Sequence, residues 1–208
     1  MSHLLAISGS PTASTICSAI LDHTLDLTRR SKIRSETLEL RSLPAEDLLY
    51  GCSDSASIRE ATLLVDDAVG IIIASPVCRA AYPGIVKAFL DLLPAGALRG
   101  KPVLPLATGG PAQYGLSLDY ALTPVVTALG ADEVIRSIYV ANSQVQFEHG
   151  GAAHLEEPIE LDLRRAVEQL VNAVQKQNYG PAHPTQSVFG TTDRAWRSPR
   201  AKSAGRRC

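Results

Sequence analysis

The residues best suited to chemistry stand near the start of the chain, His3 to Ser18, HLLAISGSPTASTICS. An apolar run, Leu4-Leu5-Ala6-Ile7, breaks at Ser8-Gly9-Ser10-Pro11, and small hydroxyl residues follow at Thr12, Ser14, Thr15 and Ser18. Ile16, Ile20, Leu21 and Leu25 then fall at helical spacing. This order predicts a buried strand, a hydroxyl-rich turn and a helix N-terminus. A helix start carries unpaired N–H groups and the positive end of the helix dipole, so it suits an anion. Gly9 permits a sharp turn, and the hydroxyls can donate to phosphate oxygens. Two readings fit: a phosphate cradle, or an ordinary capped helix after a tight turn. Neither GxxxxGK[ST] nor GxGxxG occurs in this stretch, which excludes a P-loop and the dinucleotide fingerprint there. No Lys or Arg lies between Gly9 and Ser18. A phosphate would therefore rest on neutral donors, which suits a flavin monophosphate better than a triphosphate that needs cations and a metal for transfer.

The elements that must position this stretch alternate along the chain. Asp22 to Arg30 completes the first helix. Ile33 to Leu40 alternates apolar and charged residues and reads as a strand near a sheet edge. Ser42 to Ser57 reads as a long connection, and Ser57 to Asp67 as an amphipathic helix with Ile58, Leu63, Leu64 and Ala68 inward. VGIIIA, Val69 to Ala74, is a continuous run expected of a strand covered on both faces. A loop from Ser75 to Gly84 leads to a helix over Ile85 to Leu93, and Val103 to Ala107 is the next strand. Tyr114 to Leu129 is predicted helical, Val134 to Ala141 a fifth strand, and Ile159 to Gln177 a last helix. That last helix carries an apolar stripe of Leu161, Leu163, Val167, Leu170, Val171 and Val174.

Alternating strands and helices imply an α/β, doubly wound parallel sheet with helices on both faces. Ligands on such sheets sit beyond the carboxyl ends of the strands. In a flavodoxin-like strand order, 2-1-3-4-5, the loops SGSPTASTICS, SPVCRAAYPG and ATGGPAQYG converge on one edge. All three are rich in Gly, Pro, Ser and Thr, which favours the anion seat over the plain helix cap.

The chain has 208 residues, of which 45% are hydrophobic, and a formal net charge of -1. Those values fit one folded domain over residues 1–179 and give no reason to expect nucleic acid or membrane as a partner. No apolar run approaches the ~20 residues of a membrane span. MSHLLAIS lacks the basic flank and long apolar core of a signal peptide. Cys17, Cys52, Cys78 and Cys208 form no CxxC and no metal spacing, so a reducing cytoplasm is the expected compartment. Residues 180–208 change composition: Pro181, Pro184 and Pro199, with Arg194, Arg197, Arg200, Lys202, Arg206 and Arg207. They read as a basic, disordered tail, either solvated without a role or an arm for an anionic surface.

SPVCRAAYPGIVKAFLDLLP, GKPVLPLATGG, LDYALTPVVTALGA and NSQV occur in that order, with PAEDLLY upstream. Over Leu4 to Val145 the chain resembles the NAD(P)H-dependent FMN reductases of the flavodoxin-like superfamily. Within them it is most similar to the reductase component of two-component alkanesulfonate monooxygenase systems. The resemblance implies FMN and NAD(P)H as cofactors, with hydride passing from the nicotinamide to flavin N5. It places Ser10, Thr15, Cys17 and Ser18 at the FMN phosphate, and Pro76, Val77, Cys78 and Arg79 along the ring and ribityl chain. Thr108, Gly109 and Gly110 would meet the ring's other edge. Cys17 stands where the family commonly has a hydroxyl, Cys78 where it often has an aromatic ring. At a helix start Cys17 reads as a reactive thiol or a small buried filler. Tyr120 matches a tyrosine inserted in the fourth helix of the sulfonate-linked reductases, which implies a π-bulge and an oligomer contact near the flavin.

Hydride transfer between two cofactors asks for orientation and a local field, so no catalytic acid or base and no metal is expected. Arg79 could meet the phosphates of the nicotinamide nucleotide, and His149 and His154 read as solvated. The expected product is reduced FMN for a partner flavin-dependent monooxygenase, made by a homo-oligomer, dimer or tetramer. The competing readings are an enzyme that keeps its FMN and reduces quinones or azo dyes, a flavodoxin-type electron carrier, and a flavin-free binding module of the same topology.

Overall fold

The computed structural model describes residues 3–13, 16–111, 115–147 and 153–179. The apolar runs form the sheet: β1 (His3–Ser8), β2 (Ser35–Glu39), β3 (Ala68–Pro76), β4 (Val103–Gly109) and β5 (Ile138–Ala141). They pair in parallel in the order β2-β1-β3-β4-β5, which is the flavodoxin-like order. Among the described residues six α-helices connect and cover them: α1 (Ile16–Arg29), α2 (Ala45–Tyr50), α3 (Ala56–Asp67), α4 (Gly84–Leu92), α5 (Leu116–Ala128) and α6 (Glu157–Tyr179). A short antiparallel ribbon, β6 (Val145–Phe147) with β7 (Ala153–Leu155), lies between β5 and α6 in the chain.

Side chains alternate across a strand, so each strand feeds two cores. Leu5, Ile7, Ile71 and Ile73 face one way and pack with Ile58 and Val65 of α3, Phe89 of α4 and Leu122 of α5. Leu4, Ala6, Ile72, Leu104 and Leu106 face the other way and pack with Ile20 of α1 and Leu163, Leu170 and Val174 of α6. Each fully buried Leu, Ile, Val or Phe among these contributes about 1.5–3 kcal/mol. Two covered faces are what permit runs such as Gly70–Ala74 with no polar residue.

Several expectations are corrected. Residues 42–57 are no plain connection. They hold α2, which starts after Pro44 and stops at Gly51, a left-handed cap with φ 73°. In α3 the inward face is Ile58, Ala61 and Val65, a 3–4 spacing, which leaves Leu63 61% exposed. Likewise Leu161 is exposed at the rim of α6. The fifth strand begins at Ile138 and not Val134, which makes only an isolated bridge to Val103. The β6–β7 ribbon was unforeseen.

Candidate active site

Three chain crossings at the carboxyl ends of β1, β3 and β4 build the site, and backbone hydrogen bonds hold them side by side. The N–H of Gly9 donates to the carbonyl of Ala74 at 2.7 Å, and that of Val77 to the carbonyl of Thr108 at 2.7 Å. In register, Pro76 of β3 stands beside Thr108 of β4. Gly9 is required by close approach: a Cβ there would lie 2.3 Å from Val86 Cγ2 and 3.3 Å from the Ala74 carbonyl oxygen.

From Gly9 the chain turns into α1. The Ser10 hydroxyl, 1% exposed, donates to the Thr12 carbonyl at 2.9 Å and so shapes this turn. Thr15 lies outside the described residues. Helix α1 then begins at Ile16 with no acidic residue in its first turn, so its dipole end is left to an anion. Cys17 and Ser18 are in that turn, but their side chains differ. Ser18 is half-buried, whereas Cys17 is 1% exposed within the α1–α6 core. Burial pushes the Cys17 thiol up to about 12, against a smaller opposite effect of its hydrogen bond with Thr108. The reactive-thiol reading of Cys17 is thereby overturned, and the buried-filler reading holds.

The second crossing carries Pro76, Val77, Cys78 and Arg79. Pro76 and Val77 are half-buried, and Cys78 and Arg79 are exposed. Residues 78–81 close a reverse turn through two bonds, Cys78 N–H to Ala81 at 2.7 Å and Ala81 N–H to Cys78 at 3.1 Å. Its central residues, Arg79 and Ala80, have φ of 54° and 62°, a conformation of the I′ kind that glycine would normally supply. Such strain concentrates where a chain meets a ligand.

The third crossing is Thr108-Gly109-Gly110. Thr108 is buried and serves the protein interior. Gly110 is exposed, and a Cβ placed on it would meet nothing within 4 Å, so its face is open to a flat ring. The phenol of Tyr139 on β5 donates to the carbonyls of Gly110 and Pro111 at 3.2 and 3.3 Å. Sequence reasoning missed Tyr139, because only the β4–β5 register brings it under this loop.

Tyr120 is 79% exposed on α5. The π-bulge is not formed: α5 is α-helical from Leu116 to Ala128. Its buried Leu118, Leu122 and Val126 recur every four residues, and one extra residue would rotate them off the sheet. His154 is exposed on β7, and His149 lies outside the described residues. No group of metal-ligating side chains occurs among the described residues.

The donor set fits FMN. A helix start free of carboxylates suits a phosphate, Gly109 lies against Val77, and Gly110 beside it is open. FMN, when bound, accepts the hydride and carries the redox chemistry.

A sequence profile of the NADPH-dependent FMN reductases matches residues 2–146. The chain is 39% identical over 142 residues to an FMN reductase (NADPH) of Escherichia coli K12, covering 68% of this chain and 74% of that one. It is 38% identical over 147 residues to an FMN reductase (NADPH) of Pseudomonas putida KT2440, covering 71% and 75%. Among solved structures, an apo NADH:FMN oxidoreductase, EMOB, superposes with a TM-score of 0.75 at 34% identity, over 83% of this chain and 89% of that one. Strand order, site and these likenesses agree, and the chain belongs to the NADPH-dependent FMN reductase family.

Proposed function

We propose that this oxidoreductase passes hydride from NAD(P)H to FMN and releases the reduced FMN to a partner monooxygenase acting on organosulfur compounds of the sulfonate type. The observation that carries release is the neutral phosphate seat: no Lys or Arg stands between Gly9 and Ser18. A phosphate held by backbone N–H groups and hydroxyls lacks the charge-assisted bonds that would make it slow to leave.

Each crossing has a role in this reading. Residues 9–18, with Ser10, Thr15, Cys17 and Ser18, seat the phosphate, Cys17 through its backbone alone. Pro76, Val77 and Cys78 flank the ring, with Gly109 and Gly110 at its other edge. The exposed Arg79 guanidinium meets the nicotinamide nucleotide's phosphates. The protein's work is orientation and exclusion of water, with no side chain moving a proton.

The active form is a homo-oligomer. Leu49, Tyr50 and Tyr120 are 77–79% exposed, large and apolar. Leu49 also borders a groove of about 540 Å³ with Leu48, Ala88 and Leu92. Exposed apolar side chains of this size are better covered by a second copy than by water. The compartment is the cytoplasm. Among the described residues no helix is long and apolar enough to cross a membrane.

The test is spectroscopic. Purified protein mixed with FMN is given NADPH or NADH without oxygen, then ultrafiltered. The expected result is bleaching of the flavin band with reduced FMN in the filtrate. Bleaching with flavin retained would favour an enzyme that reduces quinones or azo dyes in place. No bleaching with either nucleotide would make the chain a carrier.

A further inference from the structure

We propose that Tyr139 is a positioning residue for the flavin ring, holding from β5 the loop against which the ring lies. This rests on the FMN-reductase reading and adds to it a residue outside the cofactor-binding crossings.

Tyr139 stands opposite Ala107 in the β4–β5 register, so its ring lies beside the end of β4. Its single hydroxyl hydrogen is shared between two successive carbonyls, Gly110 at 3.2 Å and Pro111 at 3.3 Å. Pro111 has no N–H, so the Gly110–Pro111 peptide presents an acceptor without a donor. The same phenol sets the space around two glycines. A Cβ on Gly109 would lie 2.7 Å from the Tyr139 Oη, and one on Gly115 would lie 3.4 Å from the Tyr139 Cβ. A second bond ties β5's approach to α5: Ser137 Oγ donates to Asp119 Oδ1 at 2.6 Å. Gly110 and Pro111 are thus tied to β5 through Tyr139, and α5 is tied to the residues before β5 through Asp119 and Ser137.

One physical effect follows. A glycine-rich loop loses much conformational freedom when a ligand orders it, and a loop already fastened loses less. That effect acts on how well flavin is held and leaves the hydride step as it was.

The experiment compares the wild type with Tyr139→Phe, Gly109→Ala and the double variant. In flavin-free protein, amide hydrogen exchange of peptides spanning 107–118 should speed up in Tyr139→Phe, with the rest of the sheet unchanged. For FMN, Kd and KM should both rise roughly tenfold, the usual worth of such a bond, while kcat at saturating FMN stays within about twofold. Gly109→Ala should weaken FMN binding alone but less in the Tyr139→Phe background, because the oxygen that its Cβ meets is gone. Unchanged exchange at 107–118, or strictly additive losses in the double variant, would overturn the proposal. The exchange comparison needs no flavin. A wild type that binds no FMN would therefore count against the reductase reading, and the loop's behaviour would still decide the role of Tyr139.

Discussion

Two free cysteines near the site have opposite surroundings. Cys17 is sealed in the core beneath the first turn of α1, and Cys78 lies exposed on the 78–81 turn. A thiolate is the nucleophile, so a thiol pushed up to about 12 by burial is inert near neutral pH. At pH 8, iodoacetamide should modify Cys78 in the folded protein and leave Cys17 untouched until denaturant is added. Mass spectrometry of the peptides checks this, and modification of both at equal rates would contradict the burial argument. At this scale the sequence was half legible. That a helix start followed Gly9 could be read from the hydroxyls. That Ser10 and Thr108 turn inward could not, since inward or outward depends on the turn each residue enters and on strand pairing.

The reverse turn at 78–81 is a strained element. Two adjacent L residues, Arg79 and Ala80, sit at positive φ, each at a cost of about 1–2 kcal/mol over glycine. Ala80→Gly should therefore raise stability by roughly 0.5 kcal/mol after its own unfolded-state entropy is counted. Ala80→Val should lower it by about 1–2 kcal/mol, since a β-branched residue suits that region least. Urea denaturation distinguishes them, and a Val variant as stable as the Gly variant would remove strain from the account. Elements with long apolar runs were read correctly: β1, β3 and β4 are covered on both faces, and nothing else fits Gly70-Ile71-Ile72-Ile73-Ala74. The errors fell where the pattern is short or mixed. Helix α2 has only six residues, too few for a period to show. Residues 134–137 carry Arg136 and Ser137 among apolar neighbours, and they pair with β4 only at Val134.

Across the whole molecule, the first and last helices lie side by side and share an ionic tie. His23 Nε2 on α1 meets Glu160 Oε2 on α6 at 2.7 Å, and Arg164 bonds the other carboxylate oxygen. Burial alone would push Glu160 up. The hydrogen bond and charge of His23, then those of Arg164, outweigh it and hold the carboxyl below its usual range. A depressed carboxyl stabilises the fold above its unfolded-state value and loses that contribution as pH falls through its folded-state value. Glu160→Gln should then cost up to about 1 kcal/mol at pH 7. The gap to the wild type should close as acid protonates the native carboxyl. Thermal midpoints measured downward through the carboxylate range test this, and a gap that stays open at the acid end would contradict it. The strand order also governs when a newly made chain becomes competent. β1 is translated first yet lies between β2 and β3, and the third crossing of the proposed site waits for residue 110 and for Tyr139 behind it. A ribosome that has released the first hundred residues has delivered three of the five strands and two of the three crossings. On the proposed site, a complete cofactor seat is thus a late product of biosynthesis, and most of the scaffold is made before the flavin can be fully enclosed.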